Sequence, residues 1–196
     1  ISFSLSAFIV KILNINFLLN TILFTSAFYL FFSTSRDFFV NKFRSFSQNI
    51  AHLGFSLLIL SILFNNILAT EIITNLKVGE TFNNEKIKIN FEKIVKRDEQ
   101  NFKAIIGKFN IENLGGKTEI FEPELRIYNQ PNIVTSEADI KTNLITDKFI
   151  TMNIVQNKDY FNIRYQIKPL MAWIWISVLL IAFGGLVGLF QRAYER

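Results

Sequence analysis

Three long apolar stretches, 1–32, 49–69 and 169–190, constrain this chain more than any other feature. A membrane's hydrocarbon core is crossed by about 20 apolar residues in helical form. In lipid, only a helix or a closed barrel satisfies its own backbone. The stretches at 49–69 and 169–190 each have that length. Within 1–32, residues 17–32 come close to it, interrupted mainly by Asn20, whereas 1–10 is too short to span alone. Two readings follow: a truncated helix joined to a second one through Lys11, Asn14 and Asn16, or one long tilted helix. The chain opens on Ile1 inside an apolar run with no charged region before it, unlike a signal peptide. It therefore reads as a chain that begins mid-protein. Half of the residues are hydrophobic and 22 are Phe, a load that a soluble domain of this size rarely carries.

The polar segment 33–48 holds Arg36, Lys42 and Arg44, and the tail 191–196 holds Arg192 and Arg196. Both are short and basic, so the positive-inside rule puts both on the cytoplasmic side. The segment 70–168 then faces the periplasm, and its own lysines do not oppose this, because long loops translocate regardless of charge. The net charge of +5 is scattered and not gathered in a stripe, which argues against nucleic acid as a partner. With no cysteine, the outer segment has neither disulfides nor a thiolate metal site.

Segment 70–168 alternates apolar and polar residues with the period of β-strands, most cleanly at 86–91 and 103–111. Further strands are expected at 118–128, 133–140, 147–155 and 160–167. Gly115-Gly116 after Asn113 signals a hairpin. Six or seven short strands make a small barrel or a sandwich. The expected fold class is thus an integral membrane α-helical bundle with an extramembrane all-β domain.

The single histidine, His52, lies in a membrane span. Helical spacing sets it in one polar stripe with Ser45, Gln48, Asn49 and Ser56, which is expected to face the bundle interior. Imidazole there is suited to ligate haem iron, relay a proton or hydrogen-bond a neighbouring helix. Gly54 beside it would let a helix or a flat macrocycle come close. In the last span, Trp173 and Trp175 read as an aromatic belt and Pro169 suits a first helical turn. Gly184 and Gly188 form a small-xxx-small packing surface. The outer domain holds Glu122, Glu124, Glu137 and Asp139 but no catalytic set. Arg126 and Tyr128, next to Glu122-Pro123-Glu124, are candidates for a surface site.

The order of motifs is Ala51-His52-Leu53-Gly54, Pro123-Glu124-Leu125-Arg126-Ile127-Tyr128, Ser136-Glu137-Ala138-Asp139, Lys168-Pro169-Leu170, Trp173-Ile174-Trp175 and Gly184-Gly185. Over about 35–196 this order resembles the C-terminal portion of the CcmF family of cytochrome c-type biogenesis proteins, which act in haem lyase complexes. The sequence departs from the family pattern at Leu125, where Lys is usual, and at Ser136, where Thr is usual. It departs again at Gln48-Asn49-Ile50, where a Trp-containing run is usual.

The resemblance implies a bacterial inner-membrane protein that takes haem from a haem chaperone and helps attach it to apocytochrome c, alongside thiol-handling subunits. It implies that His52 is one of two axial ligands of an intramembrane haem b, with Gly54 and Ser56 as neighbours in that cofactor site. The second ligand lies earlier in the family's sequence, so this chain alone is expected to be inactive. Glu124, Arg126 and Glu137 are candidate partner contacts, and membrane lipids surround the helices. The competing reading is a non-catalytic, membrane-anchored β-domain that scaffolds other subunits. A transporter is disfavoured, because the sequence has no pair of broken helices and no repeated half.

Overall fold

A computed structural model describes residues 1–14, 16–40, 46–113 and 116–194. Of the positions singled out above, Lys42, Arg44, Ser45, Gly115 and Arg196 lie outside the described residues, as does the side chain of Arg192. The chain forms two compact units, one helical and one of strands.

The helical unit comprises residues 1–68, 143–146 and 169–196. Helix α1 (Ser2–Leu13) ends where Asn14 adopts the left-handed conformation at φ 50°, which a short polar side chain tolerates. Helix α2 (Phe17–Val40) runs on past Phe32 and takes Arg36 and Asp37 into its last turns. Helices α3 (Phe46–Leu68) and α4 (Met171–Tyr194) complete the unit. Three of these helices, α2, α3 and Met171–Gln191 within α4, are long and apolar enough to cross a membrane.

Helix α3 packs on both α2 and α4, while α1 packs on α2. Towards α2 it presents bulk. Phe24, Ala27, Phe28 and Leu60 form a buried cluster with Val10 of α1, and the Phe24 and Phe64 rings lie 5.2 Å apart. Towards α4 it presents almost no side chain. A Cβ on Gly54 would stand 2.9 Å from the Ser177 carbonyl oxygen, and one on Gly184 would stand 2.7 Å from the Ala51 amide nitrogen. One on Gly188 would meet Ser47 Oγ at 2.6 Å. The Gly184–Gly188 pair thus meets α3 along Ser47 and Ala51, Gly54 meets Ser177 and Ile181 one to two turns earlier on α4, and Ser47 Oγ donates to the Gly184 carbonyl at 2.8 Å. Close backbone approach with an interhelical hydrogen bond is the usual way for helices to associate in lipid.

The second unit is a β-sandwich. Its strands are β1 (Thr70–Leu76), β2 (Thr81–Asn83), β3 (Ile87–Asp98), β4 (Phe102–Asn113), β5 (Thr118–Phe121), β6 (Glu124–Tyr128), β7 (Val134–Glu137), β8 (Asp139–Thr142), β9 (Thr146–Ile154) and β10 (Phe161–Pro169). One sheet has the order β1-β10-β9-β8, and the other β2-β3-β4-β6-β7 with β5 also paired to β4. Alternating inward residues of both sheets make one core. Ile89, Phe91, Phe109, Ile111, Phe121 and Leu125 come from one, and Leu76, Ile150, Met152, Ile163 and Tyr165 from the other. Phe91 stacks on Phe109 with centroids 4.3 Å apart. At Gly107 a side chain would collide with Phe109 and with the Met152 sulfur at 2.8 Å, so glycine there lets the sheets close.

The ten strands among the described residues exceed the six or seven expected from the pattern. The expected strand at 118–128 is divided at Pro123, which has no amide to donate to a ladder. The one at 133–140 is divided at Ala138, where the chain leaves the β6–β7 sheet and enters the β9–β10 sheet. Strand β1 follows α3 almost directly and has no turn signal before it. Gly116 sits at φ 69° in the β4–β5 connection, and its amide donates to the Asn113 carbonyl. Pro169 is the last residue of β10 and not part of a helix. The turn into α4 falls on Leu170, at φ 59°. Pro169 fits a strand end because its missing N–H breaks the ladder there.

Candidate functional site

His52 lies six residues into α3, about 9 Å along the axis from its start at 1.5 Å per residue. Its side chain is exposed, whereas Asn49 and Ser56 are buried. The expected single polar stripe is therefore split. Ser56 Oγ lies 3.3 Å from Thr34 Oγ1, and Asn49 Nδ2 donates to the Asp37 carbonyl at 3.2 Å, both on α2. Ala51 and Gly54 face α4. With α2 and α4 on opposite flanks of α3, His52 points out between them, in line with exposed Gln48 and Phe55 and, further along, Ile62.

His52 has no hydrogen-bond partner among the described residues, so it does not serve as a bond between α3 and the helices packed on it. Gly54 and Ser56, expected beside it in one site, are instead consumed in the contacts with α4 and α2. Of the two approaches that Gly54 could permit, the structure contains that of a helix.

An exposed imidazole on a helix long and apolar enough to cross a membrane, with an aromatic side chain one turn away, is a residue that could hold a haem through its iron. A neutral histidine nitrogen is a ready iron ligand, and the apolar surroundings raise the influence of that ligand on the metal. The chain has one histidine, so a second imidazole ligand would come from residues beyond these 196. No group of three or more His, Cys, Asp or Glu side chains is arranged to hold a bare metal ion among the described residues.

The β-unit brings its three candidate residues together. Glu124 on β6 is registered opposite Glu137 on β7, and Arg126 opposite Thr135. Arg126 Nε donates to Glu124 at 3.0 Å, and Arg97 of β3 binds the same carboxylate at 3.1 Å. The Arg126 guanidinium stands over the Phe102 ring at 5.1 Å, and that ring lies 5.3 Å from Tyr128. Thr135 Oγ1 lies within hydrogen-bonding distance of Glu137. The hydrogen bond to Glu124, and secondarily to Tyr128, raises the Arg126 pKa and keeps the guanidinium charged. Arg97 and Phe102 join this cluster only through strand pairing, so periodicity within β6 gave no sign of them.

Arg126 and Glu124 are half-buried, and ion pairs and cation–π contacts near a protein surface each contribute about 1 kcal/mol or less. Arg126→Ala removes one of each and is accordingly expected to lower stability by about 2 kcal/mol or less, measured by chemical denaturation followed by circular dichroism. A larger loss would show that the cluster is a structural support and not a surface free for recognition.

Comparison with known proteins adds a family to this geometry. A family model described as the CcmF C-terminal beta-sandwich matches residues 67–169. The chain is 25% identical over 148 residues to cytochrome c-type biogenesis protein CcmF of Pseudomonas fluorescens, covering 76% of this chain and 22% of that protein. Against CcmF of Haemophilus influenzae it is 26% identical over 168 residues, covering 83% and 26% respectively. The chain thus spans about a quarter of the length of these relatives. A solved structure named Cytochrome c Heme Lyase CcmF superimposes with a TM-score of 0.67 at 16% identity, over 94% of this chain and 32% of that one, a likeness of fold.

Proposed function

Because this chain belongs to the CcmF family of cytochrome c biogenesis proteins, we propose that it supplies one wall and one axial ligand, His52, of an intramembrane haem b site in a haem lyase. The observation that carries the reading is the outward imidazole, without a hydrogen-bond partner among the described residues, on a span whose Asn49 and Ser56 side chains are taken up by α2 and whose Ser47 side chain is taken up by α4. Haem bound there would supply an iron centre able to exchange electrons. The contribution of this chain is to hold the imidazole rigidly on α3, between the α2 and α4 contacts, and to keep the surroundings apolar.

The β-sandwich faces the periplasm in this reading. There the Glu124, Arg126 and Glu137 cluster contacts a haem chaperone, a thiol-handling subunit or apocytochrome c. An arginine and an aromatic ring, residue types enriched at protein interfaces, are offered together on one face of the β4-β6-β7 strands.

The test is the haem-loaded protein with the residues that supply the second ligand present, purified in detergent from a host with an intact maturation system, wild type beside His52→Ala. Absorbance spectra and pyridine haemochrome then give the haem content. Loss of the b-type spectrum with helix content retained, and its partial return with added imidazole, is the expected result. An unchanged spectrum would remove His52 from the iron and leave the scaffold reading, for which the ordered β6–β7 cluster is the supporting feature. In that case Arg126→Ala should still reduce co-purification of other maturation subunits.

A further inference from the structure

The turn joining β8 to β9 has an unusual composition for its place. Residues 143–146 read Asn-Leu-Ile-Thr, and Leu144 and Ile145 are 67% and 69% exposed. Loop tips ordinarily carry Gly, Asn, Asp or Ser, so two adjacent large apolar residues there need a reason. The backbone of the turn is already satisfied. Asn143 Oδ1 accepts from the amides of Ile145 and Thr146 at 2.8 and 2.7 Å, and the Asn143 amide donates to the Thr146 carbonyl at 3.1 Å. The tip is therefore held in shape with both apolar side chains turned outward, and it asks for no polar counterpart.

Its location supplies the reason. Residues 143–146 group with the helices and not with the strands on either side of them. The Ile145 carbonyl accepts from the Leu170 amide at 2.7 Å, immediately before α4 begins at Met171. That end of α4 carries Trp173 and Trp175, the latter 65% exposed, and indoles at a helix end mark the boundary between headgroups and acyl chains. On the same end of the unit, Asn65 near the end of α3 donates its side-chain amide to the Pro169 carbonyl, which fixes the strand–helix junction beside the turn.

We propose that Leu144 and Ile145 insert into the lipid interface of the leaflet in which α4 begins, making the β8–β9 turn a membrane-anchoring element of the helical unit. Exposed apolar side chains on a rigid turn at the mouth of a span match the chemistry of that zone, where apolar groups are buried to a shallow depth. The proposal rests on α4 crossing the membrane and not on haem, so it stands or falls apart from the assignment of His52.

The chain has no cysteine. Leu144→Cys and Ile145→Cys can therefore each carry a single environment-sensitive fluorophore, with Glu85→Cys, exposed on the β2–β3 turn, as the aqueous reference. Each labelled chain, with its fold checked by circular dichroism, is placed in vesicles of phosphatidylethanolamine and phosphatidylglycerol. A fraction of the lipid bears a nitroxide near its headgroup. At 144 and 145 the emission should shift to the blue and lose intensity to the nitroxide lipid while resisting aqueous iodide. The probe at 85 should do the reverse. Water-like emission quenched by iodide at both turn positions would overturn the proposal, as would shielding from both quenchers, which would mean that protein covers the turn. Two neighbouring probe sites guard against one label disturbing the turn.

Discussion

Gly184→Leu is expected to separate α3 from α4. Even the first atom of a side chain at 184 would lie 2.7 Å from the Ala51 amide nitrogen and 2.9 Å from the Ser47 carbonyl oxygen. These are backbone atoms of a helix and cannot swing aside as the end of a long side chain can. The helices must move apart, which stretches the bond from Ser47 Oγ to the Gly184 carbonyl and opens the contact along Ala51 and Gly54. Overpacking a well-fitted interior typically costs about 1–3 kcal/mol. The upper end or beyond is expected here, because dispersion contacts and interhelical hydrogen bonds are what hold helices together in lipid. Gly185→Leu is the internal control, since a Cβ at 185 meets nothing within 4 Å. Thermal unfolding in detergent should show a clear drop for the first variant and little change for the second. Equal behaviour of the two would contradict the packing described above. The same contacts set the rotation of α3 about its axis, and hence the direction of His52. On the proposal that His52 ligates haem, Gly184→Leu should therefore also alter the haem spectrum, although residue 184 is on another helix.

Phe109→Ala should unfold the sandwich selectively. Phe109 is fully buried, stacks on Phe91, and fills the space that Gly107 leaves between the sheets. Truncating a buried Phe removes its transfer free energy and leaves a cavity, together about 3–5 kcal/mol. That is a large part of the stability of a domain of about a hundred residues, at roughly 0.05–0.15 kcal/mol per residue. The sandwich core and the helical core share no residue, so the loss should stay in the strands. Hydrogen exchange read by mass spectrometry should show protection lost over β3, β4 and β9 and kept over α2 and α3. Ile120→Ala, at a position 56% exposed, should leave exchange unchanged. Uniform loss of protection along the whole chain would show that the two cores do not unfold separately.

Much of this architecture was legible before any coordinates. Hydropathy marks a membrane span because the solvent demands it: a helix in lipid must be apolar over about 20 residues whatever it packs against. Alternation at 86–91 and, with a break at Ile105-Ile106-Gly107, at 103–111 marks strands because one face of a sheet is buried and the other is wet. The motif order around His52, Arg126 and Gly184 carried the family resemblance, which the match over residues 67–169 supports. These are properties of a residue and its near neighbours along the chain.

What the tertiary structure alone decided concerns which neighbour each face meets. Gln48, Asn49, His52 and Ser56 form one stripe by spacing, yet Asn49 and Ser56 are buried on α2 while His52 and Gln48 are left outside. The split follows from the rotation of α3, set by where Ala51 and Gly54 can admit the backbone of α4, a helix more than a hundred residues further on. Likewise Arg97 and Phe102 come to Glu124 and Arg126 only through the pairing of β3, β4 and β6. Local periodicity fixes what kind of face a segment presents. Steric fit between distant segments fixes what that face touches, and the direction of His52 is of this second kind.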